Sequence, residues 1–315
     1  MEPEVPEVVL PPKRNIVFLN DRGLRAGWRL LIYVALIICL LFGLLMPLAR
    51  KLQPQPASGQ GALSPIVVAI AEASGFLLFL LAAFIMSRIE RRNVGAYGLP
   101  LKGARVFERF IIGYLFWGFL PLYVCLLVLH MFHAYDFGGL ALHGADIWVW
   151  GAKWVVVFIM VGLSEEFLLR GYSLYTLADG IGFWPAAIFM AVLFGLGHAG
   201  NGGETRIGLI ATVVFALFAS TTLRYTGNLW LAVGAHAGWD WGQSFFFGVN
   251  DSGIQAEGHL LNPSVHGPVW LSGGTAGPEG SIVTLILWVL MTLLFVVLYR
   301  KRPEPALVIT EAPKY

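Results

Sequence analysis

The chain has 315 residues, of which 57% are hydrophobic and 13% are charged, with a mean hydropathy of +0.72 and a formal net charge of +2. An average soluble domain carries about 25% charged residues, so this composition excludes an ordinary soluble globular protein and indicates a polytopic membrane protein. The two cysteines, Cys39 and Cys125, both fall within apolar runs, which excludes a disulfide framework and a cysteine-based zinc site.

The first 29 residues are polar and proline-rich and include five Lys or Arg, so we expect a disordered, basic, cytoplasmic leader. Apolar runs of about 20 residues, the length that crosses a bilayer core, then recur up to residue 299. We place eight of them, at residues 30–48, 66–86, 110–132, 150–177, 184–198, 207–223, 229–248 and 282–298. The sequence therefore predicts an all-α bundle of about eight transmembrane helices over residues 30–299, followed by a cytoplasmic tail at 300–315.

The distribution of positive charge predicts the orientation of this bundle. With a cytoplasmic N-terminus and eight spans, 16 of the 21 Lys and Arg fall in cytoplasmic segments, as the positive-inside rule requires. The loops at 133–146 and 249–281 contain no Lys or Arg and are expected to be external. The charge distribution therefore predicts an integral membrane protein with both termini in the cytoplasm. We expect the membrane to be the bacterial inner membrane.

Two adjacent glutamates within the fourth span are the strongest functional signal. An ionised side chain at membrane depth is costly, so it normally faces the protein interior or a wet cavity and is paired. Glu166 and Arg170 stand in the i, i+4 relation that favours an ion pair, whereas Glu165 is rotated away by about 100°. The apolar pattern continues to Leu177, which places Glu165 roughly 18 Å from the inner end of the span. We infer that Glu166 is paired with Arg170 and that Glu165 is free for chemistry.

Other polar residues are expected at overlapping depths. His198 lies near the end of the fifth span, and His236 and Asp240 share one helical face of the seventh. Any one of them could be a tether between helices, but membrane hydrogen bonds between helices average only about 0.6 kcal/mol, so the combination favours a shared functional site. Glu72 in the second span is interpreted first as a tether and second as an accessory site residue. Glycines that would allow close helix contact flank these residues, at positions 195, 197, 234 and 238.

Three short motifs occur in order on successive spans: Glu165-Glu166-x-x-x-Arg170, Phe194-x-x-x-His198 and His236-x-x-x-Asp240. Together they resemble the motifs of the CPBP intramembrane proteases, the family of the Ras-converting CAAX prenyl endopeptidase and of bacterial relatives linked to bacteriocin processing and self-immunity. The resemblance covers about residues 147–248. It implies a catalytic core in which Glu165 and His198 activate water, while His236 and Asp240 bind the tetrahedral oxyanion or organise the site.

The last residue of the third motif is Asn in the eukaryotic CAAX enzymes and Asp240 here. An ionised Asp cannot donate a hydrogen bond, so Asp240 must be protonated, act through His236, or serve another role such as metal binding. If the enzyme is metal-dependent, the ligands would be Glu165, His198, His236 and Asp240, with zinc as a candidate. The sequence lacks His-Glu-x-x-His, and we favour a metal-free mechanism without a cofactor.

The resemblance implies an endopeptidase acting on a membrane-associated substrate, CAAX-like or bacteriocin-related, and we expect cleavage near the cytoplasmic side of the bilayer. The expected partners are this substrate and the lipid bilayer, with no nucleic acid. The alternative is a non-proteolytic membrane scaffold, immunity protein or transporter that uses the same polar cluster structurally. Related halves with broken helices, which are typical of transporters, are not evident in the sequence.

Overall fold

The computed structural model describes residues 17–20, 23–48, 64–103 and 105–300. Helices account for most of this part of the chain, which confirms the predicted all-α class. The principal helices are α1 (Ala26–Leu40), α2 (Pro65–Ile89), α3 (Val106–Ile112), α4 (Leu120–Met131), α5 (Ala145–Arg170), α6 (Tyr172–Ile181), α7 (Phe183–His198), α8 (Arg206–Thr226), α9 (Trp230–Asp240) and α10 (Ile282–Tyr299).

Three π-helical segments extend these helices, at Leu41–Leu45, Gly113–Phe119 and Trp241–Phe246. The middle one joins α3 to α4, so that both belong to one continuous apolar stretch, Val106–Met131. Single helical turns occur at Val94–Tyr97, Val269–Ser272, Gly274–Ala276 and Pro278–Gly280.

Two small antiparallel ribbons complete the described structure. Strand β1 (Leu19–Asn20) pairs with β2 (Gly23–Leu24), and β3 (Tyr135–Leu140) pairs with β4 (Leu261–Val265). The second ribbon joins the two loops that lack Lys and Arg. These loops therefore lie on the same face of the bundle, which we call the cap face.

The predicted number of eight spans is not confirmed. Within the described residues, six helical stretches are long and apolar enough to cross a membrane: Ala26–Leu48, Pro65–Ile89, Val106–Met131, Ala145–Ile181, Arg206–Thr226 and Ile282–Tyr299. Helix α7 is apolar but has only 16 residues. Helix α9 has 11 residues, a length of about 16 Å, and every residue from Leu231 to Asp240 is buried. Hydropathy alone does not distinguish such a helix, enclosed by protein, from one that faces lipid.

The fourth predicted span is not the unbroken helix that we expected up to residue 177. Helix α5 ends at Arg170 and α6 begins at Tyr172, with Gly171 between them at a non-helical ψ of −125°. A Cβ at position 171 would lie 2.3 Å from the carbonyl oxygen of Phe167, so this break requires glycine. Glu165 consequently lies five residues before the end of α5.

Part of the predicted leader is included in the described structure. The β1–β2 ribbon precedes α1, and Arg29 is buried and paired with Glu90 at 3.2 Å and with Asp179 at 3.0 Å. These contacts bring together the start of α1, the end of α2 and the end of α6, at the face that we call the base face. Residues 1–16, 21–22 and 301–315 lie outside the described residues, so the disorder and cytoplasmic location expected of the leader and tail stay predictions.

Helix α9 packs directly against the backbone of the π-helical segment 113–119. A Cβ at Gly238 would lie 2.1 Å from the carbonyl oxygen of Tyr114, and one at Gly118 would lie 2.2 Å from that of Ala235. Neither oxygen belongs to a flexible side chain, so only glycine permits this separation of the two helices. This contact fixes the position of α9 and therefore of His236 and Asp240. Of the four glycines identified in the sequence, Gly197 does not serve this purpose, because a Cβ added there would have no neighbouring atom within 4 Å.

We predict that Gly238→Ala destabilises the folded protein by about 2 kcal/mol or more, because the added methyl overlaps backbone atoms of the facing segment. Gly197→Ala is the matched control and should unfold at the wild-type temperature. Thermal unfolding of detergent-solubilised protein measures both effects. Equal stability of the two variants would contradict the backbone contact.

Candidate active site

The centre of the site is an ion pair between Glu166 and Arg170, one helical turn apart on α5. Oε1 of Glu166 accepts a hydrogen bond from Nη1 of Arg170 at 3.1 Å, and both side chains are fully buried. The guanidinium carbon of Arg170 lies 4.8 Å from the ring centre of Phe194 on α7. The pair predicted from the i, i+4 spacing is therefore present, and it also contacts the neighbouring helix.

The same glutamate oxygen contacts the first histidine of the third motif. Nδ1 of His236 lies 3.0 Å from Oε1 of Glu166, so Glu166 connects α5 to α9. The other ring nitrogen, Nε2, lies 3.5 Å from Oδ2 of Asp240 and 3.7 Å from Oε2 of Glu165. Phe215 packs edge-on against the imidazole, with 5.1 Å between ring centres. The ring of His236 is thus fixed on one side, and its Nε2 faces two carboxylates.

Glu165 has very different surroundings from Glu166. Its side chain is 31% exposed, whereas that of Glu166 is 0% exposed. It lines a cavity of about 220 Å³ together with His198, His236 and Asp240. The structure therefore brings these four residues, each of them predicted from the sequence, around one space, and it places Glu166 and Arg170 behind its wall.

His198 is the last residue of α7. Its Nδ1 lies 2.8 Å from the backbone carbonyl oxygen of Phe194. A carbonyl oxygen can only accept, so Nδ1 carries a proton in this contact, and in a neutral ring Nε2 is then a proton acceptor. This arrangement fixes the tautomer of a residue in the cavity wall.

Glu72 on α2 also lines the cavity. The adjoining contact between α2 and α5 is close, because a Cβ at Gly75 would lie 3.3 Å from Oγ of Ser164, the residue before Glu165. From the sequence, a tether was the first interpretation of Glu72. Its hydrogen bond with Ser164 on α5 agrees with that interpretation, and its position in the wall agrees with the second, an accessory residue of the site.

The cap face contributes residues to the site that were not predicted from the sequence. Asp251, Ser252, Ile254 and Glu279 all line the cavity from the segment 249–281. Oε2 of Glu279 accepts hydrogen bonds from the backbone nitrogen and the hydroxyl of Ser252, both at 3.2 Å. The sequence does show that these acidic residues occur in a loop without Lys or Arg, which could have marked them as candidates. Nothing in the sequence indicates that the loop folds back over the helices.

One compact group among the described residues could bind a metal ion. Ligand oxygens of Asp240, Asp251 and Glu279 all lie within 4.8 Å of one another. Three carboxylates suit a hard cation such as Mg²⁺ or Ca²⁺ better than zinc. Of the ligands that the sequence suggested for a metal-dependent enzyme, only Asp240 belongs to this group.

The carboxyl groups of Asp251 and Glu279, both in the segment 249–281, have raised pKa values. Burial, followed by the charge of Glu279, raises the pKa of Asp251 from 3.8 to about 8. Burial and the charge of Glu204 raise the pKa of Glu279 from 4.5 to about 7, although hydrogen bonds from Ser252 oppose the rise. Asp251 therefore binds more protons in the folded than in the unfolded chain between about pH 4 and pH 8, and Glu279 does so between about pH 4.5 and pH 7.

It follows that the free energy of unfolding should fall as pH rises through this window, because the folded state must release protons that the unfolded state has already lost. We predict a higher unfolding temperature at about pH 5 than at about pH 8.5 in the presence of a chelator, and a flatter profile for Asp251→Asn combined with Glu279→Gln. Glu257→Gln changes an exposed acid of the same segment and is the control. An unchanged slope in the double variant would contradict this prediction.

Comparison with known proteins adds an independent observation. Residues 147–242 match the family model described as type II CAAX prenyl endopeptidase, Rce1-like. A search of curated proteins finds no match. The matched segment begins near the start of α5 and ends just after α9, so it contains all three motifs and all six residues that the sequence singled out.

The match confirms the family resemblance that the motifs predicted. It supports a membrane protease, and it does not specify the roles of individual residues. Residues 147–242 are thus similar to the Rce1-like type II CAAX prenyl endopeptidases, and this segment is contained in a polytopic helical membrane protein.

Proposed function

We propose that the chain is an intramembrane endopeptidase in which Glu165 activates the attacking water. The observation that carries this proposal is the contrast between adjacent glutamates. Glu166 is enclosed and bound by Arg170 and His236, whereas Glu165 faces the cavity. A general base needs access to water and to substrate, and of these two carboxylates only Glu165 has it.

In the proposed reaction, a water held between Glu165 and His198 loses a proton as its oxygen attacks the carbonyl carbon of the scissile bond. Glu165 accepts the proton. The tetrahedral intermediate then breaks its carbon–nitrogen bond, and the leaving amine receives the proton. Nε2 of His198 is placed to accept a hydrogen bond from the same water, since Nδ1 is occupied by the Phe194 carbonyl.

His236 would stabilise the intermediate. Its Nδ1–H donates to Glu166, so Nε2 can donate to an oxyanion only in the imidazolium form, and at 3.5 and 3.7 Å from the neighbouring carboxylates Nε2 makes only long contacts. Asp240 cannot donate when it is ionised, and its position beside Nε2 favours a role through His236. Of the alternatives considered for Asp240, this one is the most consistent with the distances.

Glu166 and Arg170 are proposed as positioning residues. Glu166 holds Nδ1 of His236, and Arg170 holds Glu166. Such supporting contacts fix the rotamers of groups that meet the substrate, and small displacements of those groups cost catalytic rate.

We favour a metal-free mechanism. Its support is that a general base, Glu165, and a group that can bind an oxyanion, His236, both line the cavity, and these two account for hydrolysis without a metal ion. A hard cation held by Asp240, Asp251 and Glu279 is the alternative with a specific geometric basis. A cation there would polarise a carbonyl or acidify a bound water.

The test is cleavage of a quenched fluorescent peptide library by purified, detergent-solubilised protein. We expect the wild type to cleave, and we expect Glu165→Gln, which keeps the shape and removes the base, to lower the rate by about 100-fold or more. A strong chelator should leave the wild-type rate unchanged.

Glu257→Gln is the matched control, because it alters an exposed carboxyl on the cap face and should retain full activity. Wild-type cleavage by a well-folded Glu165→Gln would contradict the proposed base. Loss of activity on chelation, with recovery on adding a divalent cation, would assign the carboxylates to metal binding. A folded wild type that cleaves nothing in the library would favour a scaffold, immunity or transport role.

A further inference from the structure

The catalytic cavity lies toward one face of the bundle. Helices α2, α8 and α10 contribute residues near their starts, among them Glu72, Thr212 and Thr284, whereas α7 and α9 contribute their last residues, His198 and Asp240. These helix ends all lie at the cap face. The cap segment 249–281 then completes the wall.

Hydrogen bonds hold the cap segment over these helix ends. The hydroxyl of Thr205, at the start of α8, donates to the carbonyl oxygen of Gly280 at 3.3 Å. The hydroxyl of Thr284, at the start of α10, donates to the carbonyl oxygen of Pro278 at 2.6 Å. The indole nitrogen of Trp154 on α5 donates to the carbonyl of Glu257 at 2.8 Å. Ile254, which lines the cavity, is nevertheless 45% exposed, so the cavity is accessible from the side of the cap segment.

The opposite side of Glu165 is closed by buried side chains. Glu166, Arg170 and Tyr172 are fully buried, and Phe167 is 1% exposed. Below them, Glu90 accepts hydrogen bonds from Arg29 and from the hydroxyls of Tyr97 and Tyr172. Within the described part of the chain, this packed layer separates the cavity from the base face.

The charges of the two faces differ strongly. Of the thirteen Lys and Arg in the described residues, Arg170 is buried, and only Lys153 and Arg206 lie toward the cap face. The other ten lie at the base face: Arg25, Arg29, Arg88, Arg91, Arg92, Lys102, Arg105, Arg109, Arg224 and Arg300. The positive-inside rule therefore assigns the base face to the cytoplasm and the cap face to the opposite side.

We propose that the substrate enters the cavity from the extracytoplasmic side, and that it is a membrane-associated peptide segment exposed on that side of the bilayer. This inference rests on the proposed proteolytic function. It replaces our expectation of cleavage near the cytoplasmic side. A substrate on the extracytoplasmic side is also of a different class from a prenylated C-terminus, which would be exposed in the cytoplasm.

The access route can be tested without activity, by labelling single cysteines in membrane vesicles of known orientation. The background carries Cys39→Ser, because Cys39 is exposed, and keeps the buried Cys125. The variants are Ile254→Cys at the cap face, Thr212→Cys in the cavity wall and Leu101→Cys at the base face, where Leu101 is 81% exposed. The probe is a small, membrane-impermeant thiosulfonate.

We expect Ile254→Cys and Thr212→Cys to react several-fold faster in right-side-out vesicles, and Leu101→Cys to react several-fold faster in inside-out vesicles. Preferential reaction of Thr212→Cys in inside-out vesicles would overturn the proposal, as would reaction of Ile254→Cys and Leu101→Cys from the same side.

A second arm uses an impermeant quenched peptide that the detergent-solubilised enzyme cleaves. Right-side-out vesicles should cleave it directly, whereas inside-out vesicles should do so only after detergent is added, and Glu165→Ala should be inactive in both. Cleavage by intact inside-out vesicles alone would overturn the entry side. Absence of cleavage in detergent, with labelling as expected, would refute the protease function and leave the accessibility of the cavity established.

Discussion

The buried ion pair between Glu166 and Arg170 is the constraint on which the site depends. Two charges without access to water are costly to bury, and their attraction offsets that cost only when the geometry is good. Here one glutamate oxygen also contacts His236, and the guanidinium packs against Phe194. A single oxygen thus connects α5 to α9, while the cation beside it contacts α7. Each of the three motif helices is positioned against the same pair.

This arrangement gives two chemically identical neighbours different roles. Successive residues of a helix point about 100° apart, so when Glu166 faces the protein interior, Glu165 must face elsewhere. Glu165 lies in the cavity wall, which His236 and residues of the cap segment also line. The proposed base is therefore positioned by the helix backbone, and the helix is in turn positioned by the ion pair. The glycine contact of α9 with segment 113–119 supplies the second rigid support, since it fixes the helix that carries His236.

Local relations were predictable from the sequence, and long-range ones were not. The pairing of Glu166 with Arg170 follows from helical spacing alone, and the three motifs were sufficient to predict the family match over residues 147–242. The break at Gly171 was missed because the apolar pattern continues across it, although glycine itself was the signal. The count of eight spans stays a prediction, because α9 is apolar and enclosed by protein, and hydropathy cannot tell a helix surrounded by protein from one surrounded by lipid. Asp251 and Glu279 were missed because only the folding of a long loop back over the helix ends brings them to the cavity.

The central claim is that Glu166 is a structural anchor, which leaves Glu165 for chemistry. A double-mutant cycle tests it most directly, with the free energy of unfolding measured for Glu166→Gln, Arg170→Met, the combined variant and Glu165→Gln. Removing one partner of a buried pair leaves an uncompensated charge at a cost of about 3–5 kcal/mol, whereas removing both relieves it. We predict that each single variant at the pair is strongly destabilised, that the combined variant is at least as stable as either, and that Glu165→Gln resembles the wild type. Additive losses in the combined variant, or a loss in Glu165→Gln as large as that in Glu166→Gln, would contradict the claim.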